Sequence, residues 1–208
     1  MIKLFTTLVL GSLLIGSLEP TGYVVGDKAI DFSLKSVDGT TISMSSNTEN
    51  KGYIVIFTCN TCPYSVAYED RIIALHTKYA PLGYPVIAIN PNDPRAKPGD
   101  SFENMQKRAK EKSFPYPYVF DSTQDITLAY GATNTPHVYV VEQVSNDYIV
   151  RYIGAIDNNS RDASLATKLY VEDAVNSLLG KNPVETTYTK AIGCSIKWST
   201  ASKEKRNN

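Results

Sequence analysis

Cys59 and Cys62 bracket the tetrapeptide Cys59-Asn60-Thr61-Cys62, and two thiols at this spacing can close a small disulfide ring. They follow directly on residues 53–57, a continuous β-branched and aromatic run that reads as a buried central strand. Beyond them, Tyr64, Tyr68, Ile72, Leu75 and Tyr79 recur at the spacing of an amphipathic helix. The pair therefore belongs at a strand–helix junction. A helix N-terminus presents free N–H groups and the positive end of the peptide dipole, and both stabilise a thiolate. Pro63 suits the first helical turn, where a missing N–H costs little. On this reading Cys59 is the exposed, low-pKa nucleophile, and Cys62, one turn deeper, is the thiol that resolves a mixed disulfide. The same two residues also suit half of a zinc site or an inert structural disulfide. Zinc would need two further ligands, and the candidates Cys194, His76 and His137 are not paired at ligand spacing. No metal site is expected.

Thr135-Pro136 is the second element of interest. It precedes an expected strand at residues 137–141, and a proline there cannot sit mid-ladder. With a cis bond it would form a turn facing the cysteines, leaving Thr135 backbone groups for a substrate strand; on the residues alone a trans proline at a loop end is equally compatible. Asn60, Thr61, Thr135 and Pro136 are therefore the candidate substrate-binding residues. Three auxiliary candidates remain. Cys194 could exchange with the pair, bond to another chain, or simply hold the tail down as a small buried residue. Glu69 could approach the thiols from below, or lie on a solvated helix face with Arg71. His137 could donate a proton or ligate a metal, or be an ordinary strand residue. Tyr64 and Tyr68 either frame the site or belong to the core.

The elements that must position these residues alternate. A strand at residues 30–34 and a turn at Asp38-Gly39 lead to a hairpin partner at 41–44. After the first helix come a buried strand at 86–89, a loop over 90–100, and a helix capped by Ser101. A short strand at 118–120 is followed by a helix that Asp121 or Ser122 caps and Gly131 ends. Strands at 137–141 and 148–153 flank the turn 145–147, and a last helix over 165–179 closes at Gly180. This alternation is that of an α/β layered domain with a mixed sheet.

Residues 1–17 resemble an address rather than part of the fold. Lys3 precedes an apolar stretch over 4–15, then Gly16 and Ser17, as in a signal peptide. The stretch is shorter than the ~20 residues of a spanning helix, so no membrane insertion is expected after cleavage. A buried N-terminal helix or an uncleaved anchor is the other reading. Residues 18–28 read as a linker, 29–180 as the domain and 181–208 as a polar tail. Export to the bacterial periplasm, or another extracytoplasmic compartment, would let disulfides persist or turn over. The chain has 208 residues with 21 basic and 21 acidic side chains. That balance argues against nucleic acid as a partner, which calls for a basic surplus. Three cysteines are too few for a disulfide scaffold.

With these residues on the page, the chain resembles the thioredoxin-like superfamily, on the branch shared by exported TlpA/ResA-type proteins and the alkyl hydroperoxide reductase/thiol-specific antioxidant (AhpC/TSA, peroxiredoxin-like) proteins. The resemblance is carried by residues 26–34 with Asp38-Gly39, Cys59-Asn60-Thr61-Cys62-Pro63, Phe120-Asp121, Tyr130-Gly131 and Thr135-Pro136. The segments 62–64, 67–71, 89–93 and 193–198 narrow it to a peroxiredoxin-like thioredoxin subgroup. The resemblance implies a thioredoxin-like fold with an N-terminal β-hairpin extension and a helix–strand insertion, a cis Pro136, and Cys59 with Cys62 as the redox pair. The sequence also departs from the family patterns. Val55 and Cys59 stand where a peroxidatic motif has Pro and Thr, Thr58 where thioredoxins have Trp, and Tyr53 where they have a buried acid.

The expected function is therefore that of an exported thiol-disulfide oxidoreductase without a cofactor. Its partners would be protein or small-molecule thiols and disulfides, together with a reductant. Asn60-Thr61 carries no charge to stabilise a thiolate, which points toward the reducing part of a range from about −270 to −120 mV. A thiol peroxidase acting on peroxides and a copper- or zinc-binding module are the alternatives.

Overall fold

The computed structural model describes residues 22–207, so the export segment expected over 1–17 lies outside the described residues. The strands are β1 (Lys28–Ala29), β2 (Leu34–Ser36), β3 (Thr41–Ile42), β4 (Gly52–Phe57), β5 (Val86–Asn90), β6 (Tyr118–Phe120), β7 (Asn134–Thr135), β8 (His137–Val144), β9 (Asp147–Gly154) and β10 (Cys194–Ser195). The helices are α1 (Pro63–Tyr79), α2 (Phe102–Lys112), α3 (Asp125–Tyr130), α4 (Tyr170–Leu179) and α5 (Thr200–Asn207).

The continuous apolar run at 53–57 becomes β4, buried along its whole length because both sheet faces are covered. Its alternating side chains divide between two layers: Ile54 and Ile56 face one, Tyr53, Val55 and Phe57 the other. Strands β5 and β8 repeat the pattern, with Val86, Ala88, Val138 and Val140 on the first side and Ile87, Ile89, Tyr139 and Val141 on the second. The main sheet runs β1-β9-β8-β4-β5-β6-β2-β3. β4, β5 and β6 are parallel and the remaining pairs antiparallel, so the sheet is mixed, as expected. The first layer is completed by Tyr68, Ile72 and Leu75 of α1, Met105 of α2, and Val171, Ala174 and Val175 of α4. The second is completed by Tyr130 of α3, Met44, and Ile196 of the C-terminal segment.

Several elements depart from their sequence reading. Residues 30–33 pair with no strand, the ladder beginning at Leu34; the Asp31 carboxylate accepts the N–H groups of Phe32 and Met44 at 2.7 and 2.8 Å, and Phe32 is buried. The helix expected from 165 begins at Tyr170, after a 3-10 turn (Ala163–Leu165) capped by Asp162. Asp121 does not cap α3 from its first turn; its carboxylate reaches forward to the Thr127 N–H at 2.8 Å, and the preceding Gln124 adopts φ 62°. Residues assigned to a linker lie on the sheet edge, with the Gly26 N–H donating to the Val150 carbonyl at 2.8 Å and Lys28 opposite Ile149. The tail is ordered too, and its short strand β10 joins β7.

Candidate functional site

The β4–β5 ladder continues to the edge of the cysteine loop, where the Thr58 N–H donates to the Ile89 carbonyl at 2.8 Å. Cys59 follows at once, and Cys62 is the N-cap of α1 with Pro63 in the first turn. The strand–helix junction read from the sequence is thus present. The peptide bond Thr135–Pro136 is cis, and Thr135 touches both sulfurs. Its hydroxyl lies 3.3 Å from Cys59 Sγ and its carbonyl oxygen 3.1 Å from Cys62 Sγ. Cys59, Cys62 and Thr135 are therefore brought together, with Pro136 next in the chain.

The cysteines are not in the expected state. Cys62 is bonded to Cys194, 132 residues later, with their Cα atoms 5.9 Å apart, and Cys59 is the free thiol. Cys59 is only 4% exposed. Burial pushes its thiol above the ordinary value, the Asp100 charge adds to this, and hydrogen bonds from the Thr135 hydroxyl and the Cys62 and Thr61 amides oppose it. The expectation of an exposed, low-pKa Cys59 is thus corrected for this form of the chain. A β-strand that ends beneath a helix N-terminus leaves its last side chain inside the packed layer, and here Ser65 Oγ, 3.9 Å away, closes that pocket.

Asn60 and Thr61 are half-buried. They are held by Asp100, a residue that sequence reasoning left in a loop. Its carboxylate accepts the N–H groups of Asn60 and Thr61 at 2.9 and 3.1 Å and the Thr61 hydroxyl at 2.9 Å. Asn92 Nδ2 donates to the same carboxylate at 2.7 Å. Asp100 is fully buried, and four donors satisfy its charge there. Asn60 also donates to the Gly99 carbonyl at 3.0 Å and accepts the Tyr118 hydroxyl at 2.9 Å. Gly99 is required by packing: a Cβ there would stand 2.6 Å from Thr61 Cγ2. The only local signal for this clamp is the Asn90-Pro91-Asn92 and Gly99-Asp100 turn chemistry, which does not reveal a partner forty residues away.

Glu69 does not approach the thiols, nor does it lie on a solvated face. It is 5% exposed and makes a two-pronged ion pair with Arg108 of α2 at 2.7 Å per contact. Arg71 instead pairs with Asp157 at 2.6 Å and covers the Tyr68 ring. Tyr68 is core; its hydroxyl donates to Asp157 at 2.9 Å. His137 is buried beside Tyr139, and its Nδ1 accepts the Thr133 N–H at 3.4 Å. Loss of hydration lowers its pKa to about 4, so at neutral pH the ring is uncharged, with Nδ1 an acceptor and its one proton on Nε2. Among the described residues no group of three or more His, Cys, Asp or Glu is placed to hold a metal ion. No helix of the described residues is long and apolar enough to cross a membrane.

Residues 25–156 match the AhpC/TSA family. The crystal structure of an uncharacterized conserved protein from Geobacillus kaustophilus is 32% identical, with a TM-score of 0.78 over 85% of this chain and 93% of that one. A hypothetical protein from Sinorhizobium meliloti 1021 is 28% identical, with a TM-score of 0.79 over 86% and 97% of the two chains. The thiol-disulfide oxidoreductase ResA of Geobacillus thermodenitrificans is 23% identical over 128 residues, which is 60% of this chain and 67% of that protein. The fold is thioredoxin-like, a mixed sheet between two helical layers.

Proposed function

The chain belongs to the AhpC/TSA family, and from that premise we propose that it is an exported thiol-disulfide oxidoreductase whose redox pair is Cys59 and Cys62. The observation that carries the reading is the placement of both sulfurs against one residue, Thr135, at the end of β4 and the start of α1. Similarity to the oxidoreductase ResA supports the reaction class. Substrates are thiols or disulfides, and a separate reductant or oxidant completes the cycle. The basic and apolar pattern of residues 1–17 supports export.

The division of labour within the pair is the reverse of the sequence expectation. Cys62 is the N-cap of α1, with no hydrogen bond from the helix amides to its sulfur, and it is the sulfur already bonded to a strand-borne cysteine. Cys59 is the free thiol, and both sulfurs are buried, Cys59 at 4% and Cys62 at 3% exposure. Cys62 therefore exchanges with the partner, and Cys59 attacks Cys62 to release it. As that disulfide breaks, the partner sulfur leaves as a thiolate and takes up the proton that Cys59 gives up.

Turnover of a peptide disulfide, followed together with adduct trapping, tests the assignment. Cys62→Ser should be inactive and form no adduct. Cys59→Ser combined with Cys194→Ser, which removes both thiols able to attack Cys62, should lose turnover and accumulate a covalent adduct on Cys62. The opposite trapping pattern would return the attacking role to Cys59, and no exchange by the wild-type protein would remove the oxidoreductase reading.

A further inference from the structure

The C-terminal segment is fitted to the redox site in a way that composition gave no reason to expect. Strand β10 lies antiparallel along β7, with Cys194 opposite Thr135 and Ser195 opposite Asn134. The Ile196 N–H donates to the Thr133 carbonyl at 3.2 Å, and Asn134 Nδ2 donates to the Gly193 carbonyl at 3.1 Å. Gly193 permits the approach, because a Cβ there would stand 2.1 Å from the Thr135 carbonyl oxygen. Past the cysteine, Ile196 is buried in the second apolar layer. The Lys197 N–H donates to Asn92 Oδ1 at 2.8 Å, and its carbonyl accepts the Asp93 N–H at 2.8 Å. Asn92 is also a donor to Asp100, the carboxylate that holds the Asn60 and Thr61 amides. The docked tail and the cysteine loop thus share one buried polar network.

We propose that Cys194 is a third redox-active cysteine, and that the Cys62–Cys194 disulfide exchanges internally with Cys59. The inference rests on the reading of Cys59 and Cys62 as the redox pair. In the exchange, the Cys59 thiolate attacks Cys62 Sγ. A Cys59–Cys62 bond forms, the Cys62–Cys194 bond breaks, and Cys194 leaves as a thiolate that accepts the proton Cys59 lost. The number of disulfides is one before and one after, so no outside oxidant or reductant is consumed. The two isomers differ at the β7 edge. In one, the tail is covalently tethered there through Cys62; in the other, that tether is gone and Cys194 is a free thiol. The tail thus acts as a built-in substrate strand, and a partner thiolate reaches Cys62 only by displacing it, forming a partner–Cys62 bond while Cys194 leaves as a thiolate. A static staple with the same geometry would keep Cys62–Cys194 as its sole pairing.

Disulfide mapping distinguishes the two. The oxidised protein is held without reductant, quenched in acid at intervals, alkylated and digested, and the linked peptides are identified by mass. The wild-type chain should yield both Cys62–Cys194 and Cys59–Cys62 peptides. Their approach to a constant ratio should quicken about tenfold per pH unit from 7 to 8, because the attacking species is the thiolate of a raised-pKa thiol. Cys59→Ser should give only Cys62–Cys194, and Cys194→Ser only Cys59–Cys62. A wild-type protein that shows Cys62–Cys194 alone, with Cys59 fully alkylated at every time, would overturn the proposal. So would a Cys59–Cys194 disulfide as the main product. If the wild type never interconverts while Cys194→Ser still turns over a peptide disulfide, the exchange fails and the oxidoreductase reading survives. If the isomers interconvert but the protein never reacts with the peptide disulfide, the exchange stands and the oxidoreductase reading fails.

Discussion

Cys194 stands directly opposite Thr135 in the β7–β10 pair, and its disulfide partner Cys62 has its sulfur 3.1 Å from the Thr135 carbonyl oxygen. One backbone residue beside the cis proline therefore organises both sulfurs of the bond and faces the free Cys59 through its hydroxyl at 3.3 Å. The chemistry available to the chain follows from that crowding.

Gly193 is the hinge of the arrangement. Gly193→Ala would place a methyl group 2.1 Å from the Thr135 carbonyl oxygen, with backbone on the far side, so the tail must shift. A cost of about 1–3 kcal/mol is expected from such overpacking. Disulfide mapping should show less Cys62–Cys194 and more Cys59–Cys62. Trp198, the one tryptophan of the chain, packs on the second layer and should become more accessible to acrylamide quenching.

Asp100 acts on Cys59 through its charge. Asp100→Asn keeps one acceptor oxygen but turns an NH2 toward groups that are all donors, at a cost of about 2–3 kcal/mol. The carboxylate raises the Cys59 pKa, after burial, which is the larger cause. Removing the charge should therefore lower that pKa. The alkylation rate of Cys59, measured against pH in protein whose Cys62–Cys194 bond is intact, should reach its midpoint at a lower pH in the variant. A midpoint that rises would show that Asp100 serves Cys59 only as scaffolding.

The Glu69–Arg108 pair should be structural. Arg108→Met would leave a buried carboxylate with only Lys112, at 3.6 Å, nearby. A loss of about 2–3 kcal/mol is expected in denaturant unfolding. Peptide-disulfide turnover below the unfolding range should change less than twofold, since neither side chain contacts a sulfur. A large loss of turnover in a folded variant would place Glu69 in the proton-transfer path after all.

His137 should make the fold sensitive to acid. Its imidazole titrates near 4 when folded because burial opposes the charged form, and near 6.5 when unfolded. Between these values the unfolded chain binds a proton that the folded chain does not. Stability is therefore full above pH 6.5 and falls as pH drops from 6.5 toward 4, by up to about 3 kcal/mol in all. In His137→Asn the Oδ1 can take the Thr133 N–H without titrating. Thermal melts from pH 7 to 4 should show a shallower decline for the variant, and parallel curves would exclude His137 as the cause.

Much of the layer structure was legible from single segments. Residues 53–57 and 86–89 announced buried strands because both faces of a central strand are apolar, and Ser101 announced α2 because its hydroxyl meets the Asn104 N–H at 3.3 Å. Elements whose boundaries depend on a distant partner were not legible. Asp31 binds the Met44 amide thirteen residues on, outside any strand, and β10 exists because β7 offered it an edge.

The same division holds at the site. A pair of thiols three residues apart, a proline at N1 and a preceding apolar run are local, so the sequence by itself determined that Cys59 and Cys62 would meet a helix N-terminus beneath a sheet. Which cysteine is bonded, how deeply both are buried, and what holds the loop between them are long-range matters. They depend on Cys194 returning across 132 residues and on Asp100 accepting the N–H groups of Asn60 and Thr61. No pattern in the chain encodes those distances. Only the tertiary structure decided them, because covalent pairing and burial are set by which surfaces close on one another once the two apolar layers have packed.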